Sequence, residues 1–282
     1  FEVESVQPMV VRAVSGSRIF DEDKPIEAEW SIEDTSVAIV ESDKNDNIIV
    51  TGLKQGYTTI TATEKNNPNN SVTYDLYVWE PVLINNAWWL LVEDEDSSLN
   101  AALYAADEGW TGVIPESVQY EGNSYVVNEL YGMIIPYEDA REVETIKIPA
   151  TVTNISNQAF YCFGKLKNIT VDADNTAYYS KNGVLFTAEK ILYVYPAGKT
   201  ATKYSIPSGT KGVDINAFDN NNYSLPLKQI STPASLDLEM GYNYFSILGD
   251  WDSDTQTTNW KFKLYVYGKN SNVIRYAKDF GI

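Results

Sequence analysis

Over residues 8–80 the chain alternates short apolar runs with polar or glycine-bearing breaks. The runs "PMVVRAV", "IEAEWSI", "VAIV", "NIIVTGL", "YTTITATE" and "VTYDLYVW" are rich in Val, Ile, Thr and Tyr, the residues that suit a pleated, half-buried surface. In the fifth run Ile60 and Ala62 alternate with Thr59 and Thr61, which gives one face to a core and the other to solvent. Six or so short strands within the first 80 residues predict a β-sandwich.

Beyond residue 81 the pattern changes to a repeat. "IPATVTNISNQAF" (148–160) and "IPSGTKGVDINAF" (206–218) each hold Ile-Pro and Ala-Phe at the same separation. Neither the helical period nor strand alternation describes them. Ahead of the first, "VETIKIP" places Val143, Ile146 and Ile148 at a spacing that recurs in Leu166, Ile169 and Val171, in Ala201, Tyr204 and Ile206, and in part in Leu227 and Ile230. Ile148 to Val171 is 23 residues and Ile206 to Thr232 is 26, within the range of leucine-rich repeats. An earlier copy is "VIPESV", with Ile114-Pro115.

In each unit the last two apolar positions lie two apart, so they share one face of a short strand. The Pro ends that strand where its missing N–H does least harm. Val152 and Ile155 then turn the chain inward, Ala159 and Phe160 fill the coil, and Leu166 opens the next strand. The 35 residues from Val171 to Ile206 hold an insertion with an Asn182-Gly183 turn signal before two strand-like runs.

Two family resemblances follow from these landmarks. "WSIEDTSVAIV", then "VTGLKQGYTTITAT", then "YDLYVW" resembles the group 2 bacterial Ig-like domain, with Trp30, Val37, Ala38, Val40, Gly52, Gly56, Ile60 and Ala62 in its characteristic places. Trp30 is expected to plug the core, and Gly52 and Gly56 to permit a turn. The resemblance implies a spacer or adhesion module. Residues 110–232 resemble the BspA-like leucine-rich repeats of bacterial surface proteins, through the Ile-Pro and Ala-Phe coils, Cys162, "NTAYYSKNGVLF" (175–186) and "YPAGK" (195–199). The second coil departs from the pattern, with Thr210 at the place of Val152 and three extra residues in "DNNNYSLP".

The expected fold is therefore mainly β: an N-terminal Ig-like β-sandwich over 1–80, then a short leucine-rich-repeat solenoid with a β-hairpin insertion over 81–282. In the latter, 81–113 reads as an N-terminal cap, 114–232 as repeats and 233–282 as a C-terminal cap. "KLYVYGKNSNVIRYAKD" is expected to supply a closing strand and turn.

Composition narrows the function classes. The 44% hydrophobic and 21% charged content is that of a globular chain, and no apolar run is long enough for a transmembrane segment. A net charge of −18 repels duplexes and anionic membranes, and the linear sequence offers no Lys/Arg cluster as a local exception, so no nucleic acid partner is expected. Histidine is absent, which removes His-dependent nucleophile activation and His-ligated metals. Cys162 is the single cysteine and is expected to be a buried small hydrophobe. The chain starts at Phe1 rather than Met, as expected of a mature or trimmed product.

Candidate sites are few. In the Trp88-Trp89 pair one ring should be buried and the other exposed, the exposed one either stacking on a glycan or packing at the junction near Pro81. Asp250, Asp252 and Asp254 have the 1-3-5 spacing of a calcium loop, but Thr255 and Lys261 stand where its Gly and bidentate Glu belong. A solvated acidic loop is the favoured reading, for these and for the acidic run at 93–96. The outward strand positions of the repeats form two columns, Thr145, Asn168, Lys203 and Gln229, and Lys147, Thr170, Ser205 and Ser231, a polar face suited to partners or simply to water.

No motif places two carboxylates across a cleft, so no enzyme activity and no cofactor are expected. The expected function is a non-enzymatic, extracellular or cell-surface binding or adhesion protein, a monomer, in which an Ig-like spacer presents a repeat domain to a protein. The resemblance allows lipid anchoring at an outer membrane. The alternative is a glycan-binding accessory protein.

Overall fold

A computed structural model describes residues 9–11, 14–15, 24–25, 27–42, 48–94, 96–136, 141–219, 225–238, 244–245, 248–252, 257–268 and 270–282. The chain divides into two compact units, Phe1–Glu80 and Pro81–Ile282.

The first unit carries two antiparallel three-stranded sheets. One orders Ala28–Ile32, Gly56–Glu64 and Ser71–Val78; the other orders Met9–Val11, Ile48–Gly52 and Ala38–Ser42. The predicted alternation holds along Gly56–Glu64: Thr58, Ile60 and Ala62 are buried, while Tyr57, Thr59 and Thr61 lie on the opposite face. One apolar cluster joins both sheets through Ile32, Ile60 and Val78 from one and Ala38 and Val50 from the other, as a sandwich requires. Trp30 is half-buried against this cluster rather than plugging it. Gly52 and Gly56 close one strand and open the next without positive φ. What Gly56 allows is close packing, since a Cβ there would lie 3.1 Å from a Val37 methyl.

The second unit opens with a mixed sheet in the order Ser117–Tyr120, Asn123–Pro136, Leu99–Ala106, Ala87–Glu93 and Val82–Ile84, with Asn154–Ile155 also on Asn123–Pro136. Asn123–Pro136 runs parallel to Leu99–Ala106. Asn182 and Gly183 both have positive φ, as do Asn85-Asn86 and Glu121-Gly122. Each pair closes a two-residue hairpin of the kind that matches strand twist.

The Ile-Pro units pair as their spacing predicts. Thr145–Ile148 and Asn168–Val171 form a parallel ladder with Ile146 opposite Ile169 and Ile148 opposite Val171. Val113 bridges Lys147 in parallel, the register obtained by aligning Ile114-Pro115 on Ile148-Pro149. A second parallel ladder joins Lys203–Ser205, Gln229–Thr232 and Lys263–Val266, with Tyr204, Ile230 and Leu264 in one row. Ile146, Ile169 and Ile230 are fully buried. After each Ile-Pro the inward residues are buried too: Val152, Ile155, Ala159 and Phe160 in the first coil, and Thr210, Val213, Ala217 and Phe218 in the second.

Between the ladders the insertion forms a three-stranded meander, Tyr178–Lys181, Val184–Thr187 and Ile191–Val194. It has one more strand than the sequence reading gives it, because Tyr178–Lys181 precedes the Asn-Gly turn. Val184, Leu185 and Phe186 are all fully buried, with Leu185 in one core cluster and Val184 and Phe186 in the other. The meander is thus a wall between two cores, and a strand buried on both faces reads as a continuous apolar run.

The chain ends in a helix, Ser271–Asp279, rather than in a turn. The Asn270 side chain accepts hydrogen bonds from the N–H groups of Asn272 and Val273, which caps the helix. Val273 and Tyr276, three apart, are fully buried beneath it. Among the described residues no helix is long and apolar enough to cross a membrane.

Candidate functional site

The insertion motif is held in place by its own side chains, which bond to backbone groups of the first coil. Asn175 donates to the carbonyls of Pro149 and Val152, both at 2.8 Å, and accepts from the N–H groups of Ala177 and Tyr178. The Ile155 N–H donates to the Tyr178 hydroxyl, and the Tyr193 hydroxyl donates to the Ile155 carbonyl at 2.6 Å. Each buried polar group therefore meets a partner at the seam between coil and meander.

"YPAGK" is equally local in its logic. Tyr195 is buried, and the Gly198 N–H donates to the Leu166 carbonyl at 2.7 Å. A Cβ on Gly198 would fall 2.4 Å from the Lys165 carbonyl carbon and oxygen, so only glycine allows this backbone approach. The consequence is the placement of Lys199. Its ammonium donates to the Asn182 carbonyl at 2.8 Å and sits 5.9 Å from the centre of the Tyr195 ring. Burial holds this lysine below its ordinary pKa.

These parts surround a cleft of about 450 Å³ where the first ladder, the meander turn and the second ladder come together. Lys167, Lys199 and Lys203 line it, with Asn168, Tyr204 and Ser205, and no acidic residue is among its lining residues. Lys167 is paired with Glu144. Among the described residues Lys199 and Lys203 make no ion pair. The Tyr204 hydroxyl is buried without a hydrogen-bond partner among the described residues, and burial pushes its pKa up. This basic cleft corrects the linear reading that found no cationic cluster, because its lysines come from a strand start, a loop and a second strand.

The two predicted polar columns are divided by the same break. Thr145 pairs with Asn168 and Lys147 with Thr170 in the first ladder, while Lys203 pairs with Gln229 and Ser205 with Ser231 in the second. Lys147, Asn168, Thr170, Lys203 and Ser205 are exposed, and Thr145 and Gln229 are half-buried. Ser231 is a correction, being 3% exposed. It sits on the central strand between Ser205 and Tyr265, with the Gln229 amide 3.5 Å from its hydroxyl, so a short side chain there is covered by its neighbours. The cleft brings Asn168, Lys203 and Ser205 together across the break.

Trp89 is also corrected as a stacking candidate. It is 2% exposed, and its indole N–H donates to the Ile84 carbonyl. Trp88 is half-buried and donates to Asp107 at 3.1 Å, beside a register shift between the two tryptophans. Asp250 and Asp252 lie in the strand Gly249–Asp252, which pairs antiparallel with Thr257–Trp260; Asp254 lies outside the described residues. Among the described residues no group of three His, Cys, Asp or Glu side chains is placed to hold a metal. Cys162 is half-buried rather than buried, and burial outweighs nearby Arg141 in pushing its thiol pKa up, which argues against a reactive thiolate.

In comparisons with known proteins, residues 14–74 match the family described as Bacterial Ig-like domain (group 2). Comparison with curated proteins gives no match. Among solved structures, a leucine-rich repeat protein from Eubacterium ventriosum is similar at 24% identity and TM-score 0.34, over 50% of this chain and 40% of that one. A leucine rich cell surface protein from Faecalibacterium prausnitzii is similar at 14% identity and TM-score 0.29, over 56% and 71% of the two chains. Pneumococcal vaccine antigen PcpA is similar at 16% identity and TM-score 0.25, over 57% and 66%. Within residues 81–282 the register of the repeats is set by their own hydrogen-bonded parallel ladders. Residues 14–74 form a group 2 bacterial Ig-like domain, and the mainly β unit that follows carries the spacing of leucine-rich repeats in parallel ladders.

Proposed function

We propose that this chain is a non-enzymatic binding protein of the bacterial cell surface or its secretions, in which the Ig-like domain is a spacer and the second unit docks a protein. The observation that supports this reading most is the division of labour along the first ladder and along Lys203–Ser205. Ile146 and Ile169 are fully buried while their neighbours Lys147, Asn168 and Thr170 are exposed and polar, and on Lys203–Ser205 exposed Lys203 and Ser205 flank half-buried Tyr204. A ladder whose inward residues fix the fold leaves its outward residues free to vary with a partner. The Ig-like match adds a module of the kind that extends such units from a surface. Glycan stacking on the tryptophan pair is the lesser reading, because Trp89 is buried and Trp88 is hydrogen-bonded to Asp107.

The test is retention of host-matrix or partner-cell proteins by the full chain and by a Lys147→Glu, Thr170→Glu variant. Both positions are exposed, so the variant should fold as the parent does. Retention by the parent that falls at least about tenfold in the variant supports docking on the first ladder. Equal retention, or none by either protein, contradicts it.

A further inference from the structure

Lys199 and Lys203 are an unusual pair in a chain with a net charge of −18. Both line a cleft that no carboxylate lines, and neither makes an ion pair among the described residues. Lys167 completes the basic wall but is already matched by Glu144. The cleft thus has about two units of unbalanced positive charge, partly shielded from water by the rings of Tyr195 and Tyr204.

Charge alone would fit any anion, and the rest of the lining narrows the choice. Asn168, Thr200 and Ser205 bring a carboxamide and two hydroxyls. Groups that both donate and accept suit ligand hydroxyls, whereas lysines supply point charges to an oxyanion. A volume of about 450 Å³ is that of a small-ligand site, well beyond one inorganic ion. A long polyanion would meet the repulsion of the acidic surface, while a short ligand feels mainly the charges within about 8 Å.

We infer that this cleft binds a small acidic sugar, of one or two rings, whose carboxylate or sulfate is held by Lys199 and Lys203 and whose ring hydroxyls meet Asn168, Thr200 and Ser205. The site lies apart from the exposed Lys147 and Thr170 used to test protein docking, so the two readings fail separately. Lys199 contributes charge from a fixed position, since Gly198 and the Asn182 carbonyl already hold it. An arriving oxyanion restores to its ammonium the partner that burial has removed, and so raises its depressed pKa.

Titration calorimetry and amide chemical shifts of the full chain test this with glucuronate, glucose 6-sulfate, glucose and inorganic sulfate. The two acidic sugars compare the sources of charge, and saturable binding of either supports the site. Glucose and inorganic sulfate are each expected to bind at least about tenfold more weakly than the better acidic sugar. Lys203→Glu, an exposed strand position, should weaken that binding by about tenfold or more. Ser205→Ala, which removes an exposed hydroxyl of the lining, should weaken it by about threefold. Lys54→Glu, the same charge change in the other unit, should alter it less than about twofold. No saturable binding of either acidic sugar, equal binding of inorganic sulfate, or an unchanged affinity in Lys203→Glu would overturn the inference.

Discussion

The coil from Ile148 to Leu166 and the coil from Ile206 to Leu227 start from one frame and are finished with different residues. In the first, Val152 occupies the place that Thr210 takes in the second, and both are buried to within 2%. Ile155 and Val213, Ala159 and Ala217, and Phe160 and Phe218 match in the same way. Yet the first coil belongs to the core around Trp89 and Leu103, and the second to the core around Phe245 and Tyr276. The difference teaches that the chain repeats a set of inward positions, not a set of side chains. It also shows that two stacks can share a wall, since Leu185 faces one core and Phe186 the other.

The largest test of this equivalence is to empty the same position in both coils. Phe160→Ala and Phe218→Ala should each cost about 3–5 kcal/mol in urea unfolding, because each ring is buried in a filled interior. A cost in one coil and none in the other would break the comparison. Next in size is the seam between the first coil and the meander. Asn175→Ala removes two donors and an acceptor shared by two N–H groups, with an expected loss of about 2–3 kcal/mol. A loss below about 0.5 kcal/mol would detach the insertion from the first coil.

A reciprocal exchange sharpens the comparison at the odd position. Val152→Thr should cost about 1–2 kcal/mol by burying a hydroxyl, whereas Thr210→Val should change stability by less than about 1 kcal/mol. Equal and opposite effects would mean that the two sites share chemistry as well as position.

The smallest effect concerns Glu129, which accepts from the Asn154 amide at 2.9 Å and whose carboxyl burial holds above its ordinary pKa. With the folded value raised, the folded chain binds this proton more tightly than the unfolded chain. The resulting stability is present below the unfolded pKa and is lost as pH rises through the folded one. Glu129→Gln should therefore raise the melting midpoint by about 1–2 °C at pH 7, solvent screening keeping the gain small, and leave it unchanged near pH 3.

Much of the fold was legible because it depends on short-range spacing. Aligning the repeated apolar positions, Ile146 on Ile169 and Tyr204 on Ile230, gives Lys147 opposite Thr170 and Lys203 opposite Gln229, and aligning Ile114-Pro115 on Ile148-Pro149 gives even the bridge from Val113 to Lys147. What escaped depends on distant partners. Nothing in Leu99–Ala106 says that Asn123–Pro136 will lie parallel to it, and Ser231 looks outward until its flanking strands are in place. The terminal helix did leave a signal, an Asn cap followed by apolar residues at Val273, Tyr276, Ala277 and Phe280. The basic cleft left none, since Lys167, Lys199 and Lys203 converge only when the insertion folds between the ladders.

The register of the first ladder tests the account most directly, because every inward and outward assignment follows from it. In a Cys162→Ser background, Lys147→Cys with Thr170→Cys places two thiols at paired positions on the exposed face, within disulfide reach. Lys147→Cys with Asp172→Cys shifts the pair by two residues, to about 8 Å between Cα atoms, beyond that reach. Intact-mass analysis after mild oxidation should find an intramolecular disulfide in the first variant and free thiols in the second. Efficient bridging of the shifted pair, or none in the registered pair, would contradict the parallel register on which the two coils, the polar face and the cleft all depend.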